Sequence, residues 1–100
     1  SGDTYWRIPL QNILYFASDR RQVSCVTAGR TYTFYGKLDA VAAEVGADFI
    51  RIHQRYLVRC GAVERMESGE AALLGGVRLP VSRSCQRTAL AALARAELEE

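Results

Sequence analysis

Apolar and polar positions alternate through the first third of this chain, change period once near its middle, and then return to short alternating runs. Tyr5–Ile8 is rich in aromatic and branched residues and predicts a strand that Pro9 breaks, with Leu10–Asn12 as a short crossing. Ile13–Ala17 predicts the next strand, ending at the turn-forming pair Ser18-Asp19. Gln22–Thr27 follows, and Ala28-Gly29 marks a hairpin into Arg30–Phe34. There Thr31, Tyr32, Thr33 and Phe34 keep the period of two expected of a half-buried strand. Trp6, Tyr15 and Phe16 are core candidates, and Tyr32, Phe34 and Tyr35 are read chiefly as packing residues.

At Lys37–Val45 the period lengthens. Leu38, Val41, Ala42 and Val45 fall on one face of an amphipathic helix, and Gly46 is placed to end it. Extended structure resumes at Phe49–Ile52, then at Tyr56–Val58 and Val63–Met66. Ser68-Gly69 predicts a hairpin into Glu70–Leu74, and Gly75-Gly76 a second one into Val77–Leu79. Beyond Pro80, Ser82 or Ser84 can cap a closing helix with Leu90, Leu93 and Ala94 as its apolar stripe. Glu97, Glu99 and Glu100 oppose the dipole of that helix, so its last turn should fray. The pattern is that of a mainly β domain with two short helices.

Composition changes this picture little. One hundred residues, 49% hydrophobic and 24% charged, make one globular domain with a modest core. Formal net charge is only +2, so bulk charge does not by itself mark a nucleic-acid binder. The kind of charge says more. Lys37 is the one lysine among 13 basic residues; the rest are arginines, whose planar fork grips a phosphate or a guanine edge in two places. An arginine-rich proteome would give the same bias.

Several function classes drop out. Cys25, Cys60 and Cys85 are odd in number and lack C-x-x-C spacing, which argues against a disulfide framework or a metal site and for small buried hydrophobes in a reducing, cytoplasmic setting. No apolar run nears the ~20 residues that cross a bilayer, and no signal peptide is visible. Ser82, His53 and Asp48 are residue types of a hydrolytic triad, but no G-x-S-x-G turn frames a nucleophile. No phosphate-binding loop or ligand cluster is present either, so no catalytic residue, metal or cofactor is expected. Ser1-Gly2 resembles a vector-derived remnant, and the chain is expected to be one domain cut from a longer protein.

The stretch FIRIHQRYLVRC, Phe49–Cys60, sets Arg51, His53, Arg55 and Arg59 among Phe49, Ile50, Ile52, Tyr56, Leu57 and Val58. Apolar residues would anchor it, while arginines, His53 and Gln54 offer donors to an anionic surface, with DNA as the first candidate. In order along the chain stand ILYFAS (Ile13–Ser18), TFYGKLDAV (Thr33–Val41), FIRIHQRYLV (Phe49–Val58) and LPVSR (Leu79–Arg83). In these motifs, their order and their spacing, the chain resembles the LytTR family, the DNA-binding output domain of many bacterial response regulators.

The resemblance implies an elongated fold of roughly ten mostly antiparallel strands with small helical elements. It also implies double-stranded DNA as partner, read by loops in the major groove, with two protomers on spaced direct repeats. An upstream receiver or sensor domain and a monomer off DNA go with it. By the same resemblance the base contacts would come from Arg21 in the loop Asp19-Arg20-Arg21-Gln22, from His53 and Gln54, and from Arg83. Arg20, Arg55, Ser82 and Ser84 would meet the DNA backbone, and Lys37, Arg59 and Arg87 are either further phosphate partners or ordinary solubilising charge. The register between Arg20 and Arg21 is open by one position, and His53 has two readings, orienting its turn or touching DNA. Gln54 and Arg55 stand where many members carry asparagine and serine, which points to a shifted sequence preference within the same docking mode. Ile52 occupies a position where some members place a redox-active cysteine, so no such sensor carries over. The alternative reading is a degenerate member serving as a protein-interaction or dimerisation module, for which the weak net charge and Leu90 and Leu93 speak.

Overall fold

Strand alternation in this sequence builds two sheets and two cores, with one pair of strands between the cores. The computed structural model describes residues 4–98; the expectations for Ser1-Gly2, Glu99 and Glu100 lie outside the described residues. The larger sheet is formed by β1 (Ile13–Asp19), β2 (Gln22–Thr27), β3 (Thr31–Tyr35), β4 (Phe49–His53) and β5 (Tyr56–Arg59). Its order is β3-β2-β1-β5-β4, antiparallel throughout. The smaller sheet, β6-β7-β8, consists of Val63–Glu67, Glu70–Leu73 and Arg78–Pro80. Helix α1 spans Leu38–Val45 and α2 spans Arg83–Leu98. The described residues thus form a mainly β fold of eight antiparallel strands and two helices, where the resemblance implies about ten strands and small helices; α2 alone has 16 residues. The molecule is elongated, 40 × 28 × 25 Å.

The two cores lie on opposite faces of β4 and β5. Ile50, Ile52 and Val58 point to one face and pack with Ala71, Leu73 and Leu79 of the small sheet and Ala89 of α2. Phe49 and Leu57 point to the other and pack with Ile13, Phe16, Val23, Cys25 and Leu38 of α1. This is the period of two at work. Ile52, Leu57, Leu73, Val23 and Val58 are fully buried, and each such side chain contributes about 1.5–3 kcal/mol relative to exposure. Gly46, at φ 82°, ends α1 as expected, donating its N–H to Ala42 O. Gly75 and Gly76 are both left-handed, at φ 86° and 88°. Side chains rarely accept that conformation twice in succession, so the turn into β8 depends on glycine.

The structure corrects several expectations. Tyr5–Ile8 forms no strand, and no strand pairs with it among the described residues. Trp6 is no core residue: it is 48% exposed, edge-on to Tyr32 at 5.2 Å, with the Arg30 guanidinium 4.1 Å from its ring. Phe34 and Tyr35 point to opposite faces of β3 and both are exposed rather than packed; β3 is the edge strand of its sheet. Strand β1 runs on through Ser18 to Asp19, which moves its turn two residues along. On α2 the packed stripe is Ala89, Ala92, Leu93 and Ala96, while Leu90 and Ala94 face outward. Small alanines let the helix approach the sheets closely, which weighting by leucine does not foresee.

Candidate nucleic-acid interface

Three turns meet at one end of the molecule. The first joins β1 to β2. Asp19 pairs with Gln22, leaving Arg20-Arg21 as a two-residue tip. Arg20 adopts φ 61°, a left-handed conformation that a residue with a Cβ holds at a cost of about 1 kcal/mol. Both arginines are exposed. The Arg21 carbonyl accepts the Gly36 N–H at 2.9 Å, which draws the end of β3, and with it Lys37, toward this tip. Tyr35, opposite Gln22 in the β2–β3 ladder and 79% exposed, lines a shallow hollow with Asp19, Arg20 and Arg21.

The second tip is Gln54-Arg55, between the paired His53 and Tyr56 and next to an irregularity in register at Arg51/His53. His53 Nδ1 accepts the backbone N–H of Arg55 at 3.1 Å, and its ring lies 5.4 Å from Tyr56. Of the two roles open to His53, this geometry supports the first, a brace within the turn. Arg55 donates from Nε to the Ser18 carbonyl at 2.9 Å. Gln54 is exposed, and its side chain makes no hydrogen bond among the described residues.

The third tip is the junction of β8 and α2. Ser82 sits just before the first helical residue, Arg83, and its hydroxyl is 3.3 Å from that of Ser84. Arg83 and Arg87 are exposed and one turn apart, hence on one face of the helix. Two arginines and two serines therefore surround the helix N-terminus, where unsatisfied N–H groups favour an anion.

Hydrogen bonds tie these tips into one edge. Ser18 N–H donates to Arg55 O at 2.9 Å, which joins the first tip to the second. Ser82 N–H donates to Ile52 O at 2.8 Å, which joins the second to the third. Strands β2, β1, β5 and β4 are consecutive, so the first two hairpin tips stand about 10 Å apart, two strand spacings. Among the described residues, Arg20, Arg21, Arg83 and Arg87 form no ion pair. Glu67 and Glu70 lie on the hairpin beside the third tip, but each faces its own arginine, Arg65 and Arg78. The small net charge thus conceals a cationic edge.

Arg59 is not part of this gathering. It ends β5 at the far end of the strand, donates to Ile13 O at 2.7 Å and lies against Gly61, where a Cβ would meet its Nη1 at 2.6 Å. Two residues at the edge, Tyr35 and Arg51, are not among the DNA contacts that the sequence predicts. Tyr35 reads there as packing, although its strand has period-two order on both faces. Arg51 stands on the α1 face of β4 among apolar neighbours, and that alternation is the one signal the sequence offers for it. Cys25 and Cys60 are buried as small hydrophobes, whereas Cys85 is only half-buried; burial pushes the Cys25 thiol up to about 11 and raises that of Cys60. Among the described residues no cluster could hold a metal ion, and no helix is long and apolar enough to cross a membrane.

Known proteins share this architecture. A family model described as the LytTr DNA-binding domain matches residues 3–94. Among solved structures, the chain is similar to one described as the LytTr DNA-binding domain of a methyl-accepting/DNA response regulator from Bacillus cereus. The TM-score is 0.80 at 18% identity, covering 93% of this chain and 91% of that one. At that identity the likeness speaks for the fold. No curated protein matches significantly.

Proposed function

The chain belongs to the LytTR DNA-binding domain family, and from that premise we propose that it reads duplex DNA with the edge where its three tips meet. Membership carries DNA binding in transcription regulation, and the family is non-enzymatic. The finer reading is an intracellular output domain of a transcriptional response regulator, attached to a receiver or sensor. It binds spaced direct repeats as two protomers and is a monomer off DNA.

The observation that carries this reading is the coincidence of free arginines with hydrogen bonds that fix their relative positions. Arg21, Gln54 and Arg83 read base edges; an arginine meets guanine O6 and N7 in two places, and a glutamine meets adenine N6 and N7. His53 shapes the turn that presents Gln54, and any base contact it makes comes second. Arg20, Lys37, Arg55, Ser82, Ser84 and Arg87 take the phosphates. Arg59, occupied at the far end, is withdrawn from the set, and Tyr35 joins it as a neighbour of the first tip. The competing reading, an interaction module without DNA binding, loses its helical support. The α2 stripe, Leu93 included, already packs on the core, and the exposed leucines of the helix, Leu90 and Leu98, lie about two turns apart.

Selection from randomised duplexes, followed by titration of the winners over a salt series, tests the proposal. A DNA binder of this kind enriches a motif and loses affinity steeply with salt, by a slope of about −0.9 per phosphate neutralised. No enrichment at low salt, together with a tight dimer by sedimentation, would overturn it.

A further inference from the structure

The second tip lacks the residues that make a turn fold by itself. His53-Gln54-Arg55 contains no glycine, proline, asparagine or aspartate, the types that preset or tolerate turn geometry. Something outside the tip has to hold it. Phe49 and Arg51 share the α1 face of β4, while Ile50 and Ile52 face the other core. Arg51 is therefore directed along the helix side of the sheet rather than toward the ligand side of the tip. Its guanidinium is used in three directions. Nε donates to His53 O at 3.1 Å, Nη2 to Gln54 O at 3.1 Å, and Nη1 to Asp39 Oδ1 of α1 at 2.8 Å.

From this geometry we infer that Arg51, aimed by Asp39, is a positioning residue that holds the second tip in its DNA-reading shape and touches no DNA itself. The inference rests on the DNA-binding reading above. Arginine is the residue type the task needs: its rigid planar fork serves two adjacent carbonyls and a carboxylate at once, while an ammonium group is a single point. Asp39 is 88% exposed and Arg51 31%, so the ion pair adds little stability of its own. Its effect is to fix the plane of the guanidinium, and with it the two carbonyls that define where Gln54 and Arg55 project.

The test compares Arg51→Gln, Arg51→Lys and Asp39→Asn with wild type. Each is titrated onto the duplex that wild type selects and onto an unrelated duplex over a salt series. Amide hydrogen exchange of residues 53–55 is measured without DNA. Arg51→Gln should weaken selected-duplex binding about tenfold, narrow the preference over the unrelated duplex, leave the salt slope unchanged and speed exchange in the tip. Arg51→Lys, which keeps the charge, should not rescue. Asp39→Asn removes a negative charge near DNA, so simple electrostatics demands tighter binding; positioning demands weaker binding. Recovery with lysine, a slope reduced by about 0.9 in Arg51→Gln, or tighter binding by Asp39→Asn would overturn the inference. Thermal melts exclude global unfolding, and Asp39 is too exposed for its replacement to unfold the chain. Should wild type select no duplex, the DNA reading fails separately; unchanged exchange at 53–55 in Arg51→Gln would then reject the positioning role by itself.

Discussion

Ser18 and Arg55, 37 residues apart, are joined by two hydrogen bonds: Ser18 N–H to Arg55 O and Arg55 Nε–H to Ser18 O, each 2.9 Å. One uses only backbone and is indifferent to the side chain at 55; the other needs arginine. Arg55 therefore ties the first tip to the second through Nε, while its Nη groups make no hydrogen bond among the described residues; the proposed DNA contact would use those groups. Arg55→Ala should reduce the salt slope of binding by about 0.9. Arg55→Lys should restore the slope but not the full affinity, because an ammonium cannot reach Ser18 O and a phosphate together. Fluorescence anisotropy over a salt series separates the two effects, and full recovery by lysine would remove the bracing role.

Arg83 opens α2 with no ion-pair partner among the described residues. Its replacement by alanine should cost about 1–3 kcal/mol on the selected duplex and relax preference at one position. Binding to unrelated DNA should change far less. Equal losses on both duplexes in a gel-shift series would make it a phosphate contact instead.

Arg20 holds φ 61° at the first tip. Glycine adopts that conformation without strain, so Arg20→Gly should raise thermal stability slightly while weakening DNA binding through the lost charge. A stability that falls would mean the arginine side chain supports the turn. Strain retained at a working tip is the usual form of a trade between stability and activity.

The Cys25 thiol is pushed by burial from its ordinary 9.0 up to about 11. The folded state keeps its proton while the unfolded chain gives it up, so between pH 9 and 11 stability falls as pH rises. The contribution is whole below the unfolded value and is lost as pH passes through the folded one. Tyr15 and Cys60, also raised by burial, act with the same sign. Urea unfolding midpoints from pH 8 to 11 should therefore decline, and Cys25→Ala should flatten part of the decline. Cys25 should also resist alkylation at pH 8 in the folded state, since the thiolate is the nucleophile.

Where burial or a turn leaves a local trace, the sequence is readable. The alternation in Phe49–Ile52 by itself sorts Ile50 and Ile52 from Phe49 and Arg51, and the two cores use that division. The helix at Leu38–Val45 and its glycine stop are equally local. Trp6 and Tyr35 depart from their sequence pattern for one reason: aromatic character says a ring can be buried, not that another layer lies over it. Beyond β3 none does, and Trp6 makes do with Tyr32 and Arg30.

The chain's local order and motifs by themselves determined a mainly β domain, the family resemblance, and three polar turns rich in arginine. Only the tertiary structure decided that these turns share one edge, that Arg59 stands apart from them, and that the Arg51 and His53 side chains hydrogen-bond to the backbone of the second tip. The physical reason is range. Alternation and capping act over a few residues and are written in sequence neighbours. Ser18–Arg55, Ile52–Ser82 and Asp39–Arg51 are contacts between distant segments, and they exist only once antiparallel pairing of β1 with β5 and docking of α1 have placed those segments side by side.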